Sequence, residues 1–309
     1  MIAFLFPGQG SQAVGMGKAL ADQFPEARAV FEEADAALGE RLSALIFDGP
    51  SQTLTLTENT QPAILTTSIA TFRVLEARGL APAMVAGHSL GEYSAHVAAG
   101  TMTFADAVRI VRQRGRYMQE AVPVGTGAMA AILGLESDAV ARACAEAAQG
   151  EVVSPANLNA PGQVVIAGAA TAVSRAMERA KALGAKRAIP LQVSAPFHCA
   201  LMMPAQERLA PELRALDTST PRVPVVANVD ARPKTDAASA IEALILQVSA
   251  PVRWEDVMRR LIIDGATTFV EVGPGTVLCG LGKKIAREAR FASIETPEHL
   301  SRVEASCAP

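Results

Sequence analysis

Cysteine is scarce in this chain, and Cys144, Cys199, Cys279 and Cys307 lie far apart with no C-x-x-C pair. That scatter excludes a disulfide framework and a structural zinc site of ordinary spacing, and the thiols are expected reduced, in the cytoplasm. Aromatic residues make up 4% of the sequence, with one tryptophan and two tyrosines, too few for a platform that stacks bases. The formal net charge of −3 gives no field that would gather nucleic acid. Apolar runs are short, and none approaches the roughly 20 residues a membrane helix needs. The opening Met1-Ile2-Ala3-Phe4-Leu5-Phe6 is too short for a signal peptide and lacks its basic flank. It reads as a first core strand, stopped by Pro7-Gly8. Internal repeats and low-complexity segments are absent as well.

What the chain does have is a core-building composition. Half of its 309 residues are hydrophobic and 19% are charged, which predicts one large domain, or a large domain carrying a small one. Strand and helix signals alternate, as in an α/β fold. Gln61–Arg78 reads as a helix with Pro62 in its first turn, and Thr103-Phe104-Ala105-Asp106 caps another that runs to about Ala121. Between 125 and 193 the order is strand, helix, strand, strand, helix, strand: Gly127–Leu133, Ser137–Ala147, Val152–Asn157, Gln163–Ala167, Ala172–Leu183 and Arg187–Val193. That βαββαβ order is ferredoxin-like and predicts a small subdomain, residues 125–193, inserted into a large α/β domain made of 1–124 and 194–309. After it come a strand at Val223–Asn228, helices at Ile241–Val248 and Trp254–Ile263, a strand at Thr267–Val272 and a helix after Gly275. The polar tail beyond Thr296 is expected to be loosely held.

The most informative stretch is Gly87-His88-Ser89-Leu90-Gly91, preceded by Ala83-Met84-Val85-Ala86 and followed by a helical Leu90–Ala99. A G-x-S-x-G pentapeptide between a buried strand and a helix describes a nucleophile elbow, with Ser89 as the nucleophile. A serine nucleophile needs a base, and the chain offers His88, His96, His198 and His299. His88 adjoins Ser89 on the turn, so its side chain points elsewhere; His96 lies on the elbow helix and His299 in the tail. His198 stands where the chain leaves the insert, and clefts form at such junctions. It is the best placed, with a packed core histidine as the alternative.

Helical geometry singles out Arg114. It shares a stripe with Ala107, Val111 and Met118, while Arg109, Arg112 and Arg116 fall opposite, on an expected solvated face. A guanidinium among apolar residues needs an anion. Either a structural salt bridge or bidentate capture of a substrate carboxylate supplies one. The loop Phe6-Pro7-Gly8-Gln9-Gly10-Ser11-Gln12 lacks the lysine of a P-loop. It reads as a tight turn, or as a mount that aims Gln9, by its amide or backbone N–H, at a reacting oxygen.

Together, Phe6–Gln12, Thr60-Gln61-Pro62-Ala63, Gly87–Ala95, Arg114-Gly115, Asn157–Gly168 and Phe197-His198 resemble malonyl-CoA–acyl carrier protein transacylases. The resemblance runs from Met1 to about Arg290. It implies an α/β-hydrolase-like core with a ferredoxin-like insert, and a transfer of malonyl from malonyl-CoA to the phosphopantetheine thiol of acyl carrier protein. In that family pattern Ser89 attacks the thioester and His198 is general acid and base. Gln9 and the Leu90 N–H form the oxyanion hole, Arg114 binds the malonyl carboxylate, and the Gln247 backbone carbonyl orients the histidine. Phe197 before His198 resembles the malonyl-selective form of the motif. The chemistry implied needs no metal or cofactor, and the chain is expected to act as a monomer, away from membranes and nucleic acid.

The carrier proteins implied are acidic, so a local basic patch is expected next to the cleft. Were the helix after Gly275 to continue far enough, Lys283, Arg287 and Arg290 would share one side, bordered by Lys284. Lys181, Lys186 and Arg187 of the insert come next. Three rivals remain. A general serine hydrolase would place its histidine near the C-terminus, after the acid; a non-catalytic docking module would not need Ser89 and His198; and a transferase loading a polyketide line or a malonate decarboxylase shares the same chemistry.

Overall fold

Among the described residues, ten strands form two sheets: β1 (Ile2–Phe6), β2 (Met84–Gly87), β3 (Gly127–Leu133), β4 (Val153–Ala160), β5 (Gln163–Ala169), β6 (Arg187–Pro190), β7 (Val225–Val226), β8 (Pro233–Lys234), β9 (Thr268–Val272) and β10 (Arg290–Ile294). The computed structural model describes residues 1–123 and 125–307. The expected boundary at Val124 and the last residues, 308 and 309, lie outside that description. The larger sheet has the order β10-β9-β1-β2-β7-β8 and is parallel apart from the β7–β8 pair. Its central strands β1 and β2 are apolar because both of their faces are covered, whereas β8, β9 and β10 carry polar residues such as Lys234, Glu271 and Arg290. Ala3, Leu5, Ala86, Val226 and Phe269 pack on one face, and Phe4, Phe6, Val85, Val225 and Val270 on the other, as the two-residue side-chain period requires. The class is mixed α/β.

The smaller sheet is wholly antiparallel, with the order β4-β5-β3-β6. The helices Ser137–Ala148 and Ala170–Ala182 supply it with a separate core that includes Ile132, Val140, Ala143, Ile166 and Val173. It is tied to the larger body where Val252 pairs with β4: Leu158 N–H donates to Val252 O at 2.9 Å and Val252 N–H to Ala156 O at 2.8 Å.

Several expectations need correction. The helix expected from Gln61 begins a turn earlier, at Thr57, so Pro62 lies inside it. It is buried along almost its whole length, and Thr66, Thr67 and Thr71 satisfy their hydroxyls on carbonyls four residues back. That local back-bonding lets polar residues fill a helix buried on all sides. Arg112 is not on a solvated face: it is 6% exposed and bonds to Glu40 and Asn59. The glutamate lies on the turn after Pro25–Leu38, a helix the sequence reading had not drawn. The tail is not loose either, since Leu300 and Val303 of the helix Leu300–Cys307 are buried. Finally, the helix after Gly275 ends at Ile285; Arg287 and Arg290 lie beyond it and do not continue the face of Lys283.

Candidate active site

The turn between β2 and the helix Leu90–Ala99 puts Ser89 at φ 52° and ψ −107°, a left-handed conformation that costs free energy in a non-glycine residue. Surrounding groups hold it there. Asn228 Oδ1 accepts the Ser89 N–H at 2.7 Å, and Asn228 Nδ2 donates to Gly87 O at 2.7 Å. The two glycines of the pentapeptide answer to close approach. A Cβ on Gly87 would lie 1.9 Å from the Gly91 carbonyl, and one on Gly91 would lie 2.0 Å from Phe6 O. A side chain at Gly87 would part β2 from the elbow helix, and one at Gly91 would push that helix off the end of β1.

His198 Nε2 stands 2.7 Å from Ser89 Oγ. Its Nδ1 lies 3.0 Å from the backbone carbonyl of Gln247, the last residue of the helix Ala237–Gln247. Carbonyls in a helix's last turn have no intrahelical partner, so this one is free to accept. An Nδ1–H bound to that carbonyl leaves the Nε2 lone pair facing the serine. Burial, and then the nearby Arg114 charge, push the pKa of His198 down to about 3, so the imidazole is neutral at neutral pH. The remaining histidines are engaged elsewhere. His88 Nε2 meets Asn159 Oδ1 at 2.9 Å and its ring leans on Trp254, His96 Nδ1 meets Thr101 Oγ1 at 3.1 Å, and His299 bonds to the Glu295 N–H.

Arg114 is 1% exposed, and its hydrogen-bond partners are neutral. Its Nη1 donates to Gln61 Oε1 at 2.7 Å, and its Nη2 to Gln247 Oε1 at 2.9 Å and to Ser89 Oγ at 3.1 Å. Nε has no partner among the described residues, and the Tyr93 ring lies 5.4 Å away. The structural salt bridge allowed by the helical pattern is therefore not what satisfies this side chain. The Glu92 carboxyl is near enough to act on its charge but makes no bond to it, so the buried guanidinium can still take an anion in direct contact.

These groups open on a cavity of about 320 Å³ lined by Gln9, Ser89, Leu90, Arg114, Phe197 and His198. Gln9 reaches it from the loop after β1, with its Nε2 donating to Thr57 Oγ1 at 3.1 Å. Leu90 opens its helix, so its N–H has no intrahelical acceptor. Gln163, which also lines the cavity, accepts from Lys284 Nζ at 2.8 Å, and Lys283 and Arg287 are exposed nearby along the chain. Sequence reasoning missed Gln61 and Asn228 as parts of this site. Asn228 had a legible signal, since it ends a strand expectation at the carboxyl edge of a parallel sheet, where such folds bind ligands. Among the described residues no group of three or more His, Cys, Asp or Glu is disposed to hold a metal ion, and no helix is long and apolar enough to cross a membrane.

Residues 3–298 match the family model described as an acyl transferase domain, which sets the class: this chain is an acyltransferase. A malonyl CoA-acyl carrier protein transacylase of Bacillus subtilis is 53% identical over 300 residues, covering 97% of this chain and 95% of the relative. Its counterpart in Escherichia coli K12 is 52% identical, covering 97% of each. The crystal structure of an acyl carrier protein S-malonyltransferase from Vibrio cholerae superposes with a TM-score of 0.96 at 50% identity, over 98% of this chain and 99% of that one. A malonyl-transacylase solved in complex with its type II PKS acyl-carrier protein gives 0.95 at 48% identity, over 97% of each chain. The chain belongs to the malonyl CoA-acyl carrier protein transacylase family.

Proposed function

We propose that this chain transfers the malonyl group of malonyl-CoA to the phosphopantetheine thiol of acyl carrier protein, by way of a malonyl ester on Ser89. The observation that carries the reading is the buried Arg114, 3.1 Å from Ser89 Oγ, with neutral partners and an unpartnered Nε. The free carboxylate of malonyl is one methylene from the reacting carbonyl, so the cation that selects it must stand beside the nucleophile. His198 takes the serine proton as Oγ attacks the thioester carbonyl, then returns it to the departing CoA sulfur. In the second half-reaction it deprotonates the carrier thiol and gives that proton back to Ser89 Oγ. Gln9 and the Leu90 N–H receive the oxyanion, and the Gln247 carbonyl orients the imidazole. Thioester and serine ester exchange near thermoneutrality, and the route asks for no metal or cofactor.

We read the larger body, 1–124 with 194–309, as α/β-hydrolase-like, and 125–193 as a ferredoxin-like insert. The all-antiparallel order β4-β5-β3-β6 and the insert's own core support the second reading. The enzyme works as a monomer in the cytoplasm. Lys283, Lys284 and Arg287 guide an acidic carrier to the mouth; the bond from Lys284 to Gln163, which lines the cavity, supports the location. A polyketide carrier is the second reading, favoured by the relative solved with its type II PKS acyl-carrier protein. Incubation with malonyl-CoA followed by a panel of holo carrier proteins, read by intact mass, tests both. Transfer to a fatty acid carrier is expected; transfer to a polyketide carrier alone selects the second reading, and transfer to none refutes both.

A further inference from the structure

Glu92 lies one turn into the elbow helix, fully buried, and none of the steps above uses it. Its Oε2 accepts two hydrogen bonds, from Gln247 Nε2 at 2.7 Å and from the Asn228 N–H at 3.0 Å, while Oε1 has no partner among the described residues. Both donors belong to residues that build the site. The Gln247 amide also donates to Ser89 O at 2.9 Å and accepts from Arg114, and the backbone of Gln247 holds His198. Asn228 holds the Ser89 N–H and Gly87 O. One carboxyl oxygen therefore joins the segment that orients the base to the segment that holds the strained nucleophile.

We propose that Glu92 is a positioning residue, whose Oε2 clamps Gln247 and Asn228 so that the His198 acceptor and the Ser89 elbow keep one relative placement. The inference rests on the transfer chemistry assigned above. What matters is an acceptor at one point in space, not a negative charge. Burial raises the pKa of Glu92 to about 7, so near neutral pH the group is partly protonated, and Oε2 can accept in either form. The acceptor also has no substitute nearby: without it, the second Nε2 proton of Gln247 and the Asn228 N–H are left buried and unpaired.

Two variants with opposite losses test this. Glu92→Gln keeps the length and an accepting oxygen but removes the charge; Glu92→Asp keeps the charge but withdraws the acceptor by one methylene. The single-turnover rate of malonyl-serine formation at saturating malonyl-CoA should stay within about 3-fold of wild type in Glu92→Gln. It should fall by about 10-fold or more in folded Glu92→Asp, with a smaller change in KM. Gln247→Leu keeps the backbone carbonyl but removes the amide's bonds to Glu92, Ser89 O and Arg114, so its rate should fall at least as far. The reverse order, with Glu92→Gln slow and Glu92→Asp fast, would make charge the function and overturn the proposal. Wild-type rates in Gln247→Leu would overturn it too, whether or not Glu92→Asp folds. If wild type itself formed no malonyl-serine, the functional reading, not this inference, would have failed.

Discussion

Replacing Arg114 with alanine should cost the enzyme its preference for malonyl over acetyl groups. Acetyl-CoA has the same thioester but no carboxylate, so the ratio of kcat/KM for the two substrates isolates what the guanidinium gives to malonyl. Two charge-assisted hydrogen bonds at roughly 1.5–3 kcal/mol each come to about 3–6 kcal/mol, or about two to four decades. The geometry favours the lower end. The Nη groups already donate to Gln61, Gln247 and Ser89 and must exchange partners to meet a carboxylate. The expected loss of discrimination is therefore about 100-fold. The variant also strands the Gln61 and Gln247 carbonyl oxygens, which slows both substrates and cancels in the ratio. The assay is acyl transfer to a holo carrier protein from malonyl-CoA and from acetyl-CoA, for wild type and Arg114→Ala. An unchanged ratio, with both substrates slowed alike, would reduce Arg114 to a structural group and refute the reasoning.

Three further outcomes follow from the same geometry. His198→Ala should slow acylation and carrier transfer together by about 10²–10⁴-fold, since one imidazole moves the proton in both; unequal effects in rapid-quench assays would point to a second base. With burial holding His198 near 3, the base stays neutral across the mildly acidic range, so single-turnover acylation should be flat between about pH 7.5 and pH 5; an inflection near 6.5 would contradict it. Glu92 works the other way on stability: its folded pKa of about 7 exceeds the ordinary carboxyl value of 4.5, so the fold favours the protonated form and loses stability as pH rises through that window. The melting temperature of Glu92→Gln relative to wild type should therefore rise from about pH 5 to pH 8, and a gap that shrinks would show the carboxylate is not penalised there.

Much of this site could be read before any coordinates. The elbow was legible because G-x-S-x-G between an apolar run and a helix leaves few alternatives, and Arg114 because helical periodicity put a cation on an apolar stripe. The order of elements from Gly127 to Pro190 could be read because its alternation and turn residues are strong and local; Gly127–Leu133 has both ends correct, while β4 runs on to Ala160 and β6 stops at Pro190, short of the expected Val193. Three kinds of feature were not legible. Helix limits failed where tertiary burial overrides local signals, as at Thr57, where threonine hydroxyls bond back to the helix and allow polar residues in the core. Arg112 looked like its neighbours Arg109 and Arg116 because nothing local announces that Glu40 and Asn59 will wrap it. The clamp of Glu92 on Asn228 and Gln247 spans separations of 136 and 155 residues, which no window along the chain can connect.

The central claim is that malonyl passes through an ester on Ser89, poised by His198 at 2.7 Å and faced by Arg114 at 3.1 Å. Brief incubation with malonyl-CoA, acid quenching and peptide mapping by mass spectrometry tests it most directly. The account predicts one malonyl group per chain on the peptide that carries Ser89, discharged when holo acyl carrier protein is added before the quench, and no adduct in a folded Ser89→Ala variant. Malonyl on another residue, or carrier malonylation that persists in Ser89→Ala, would contradict it.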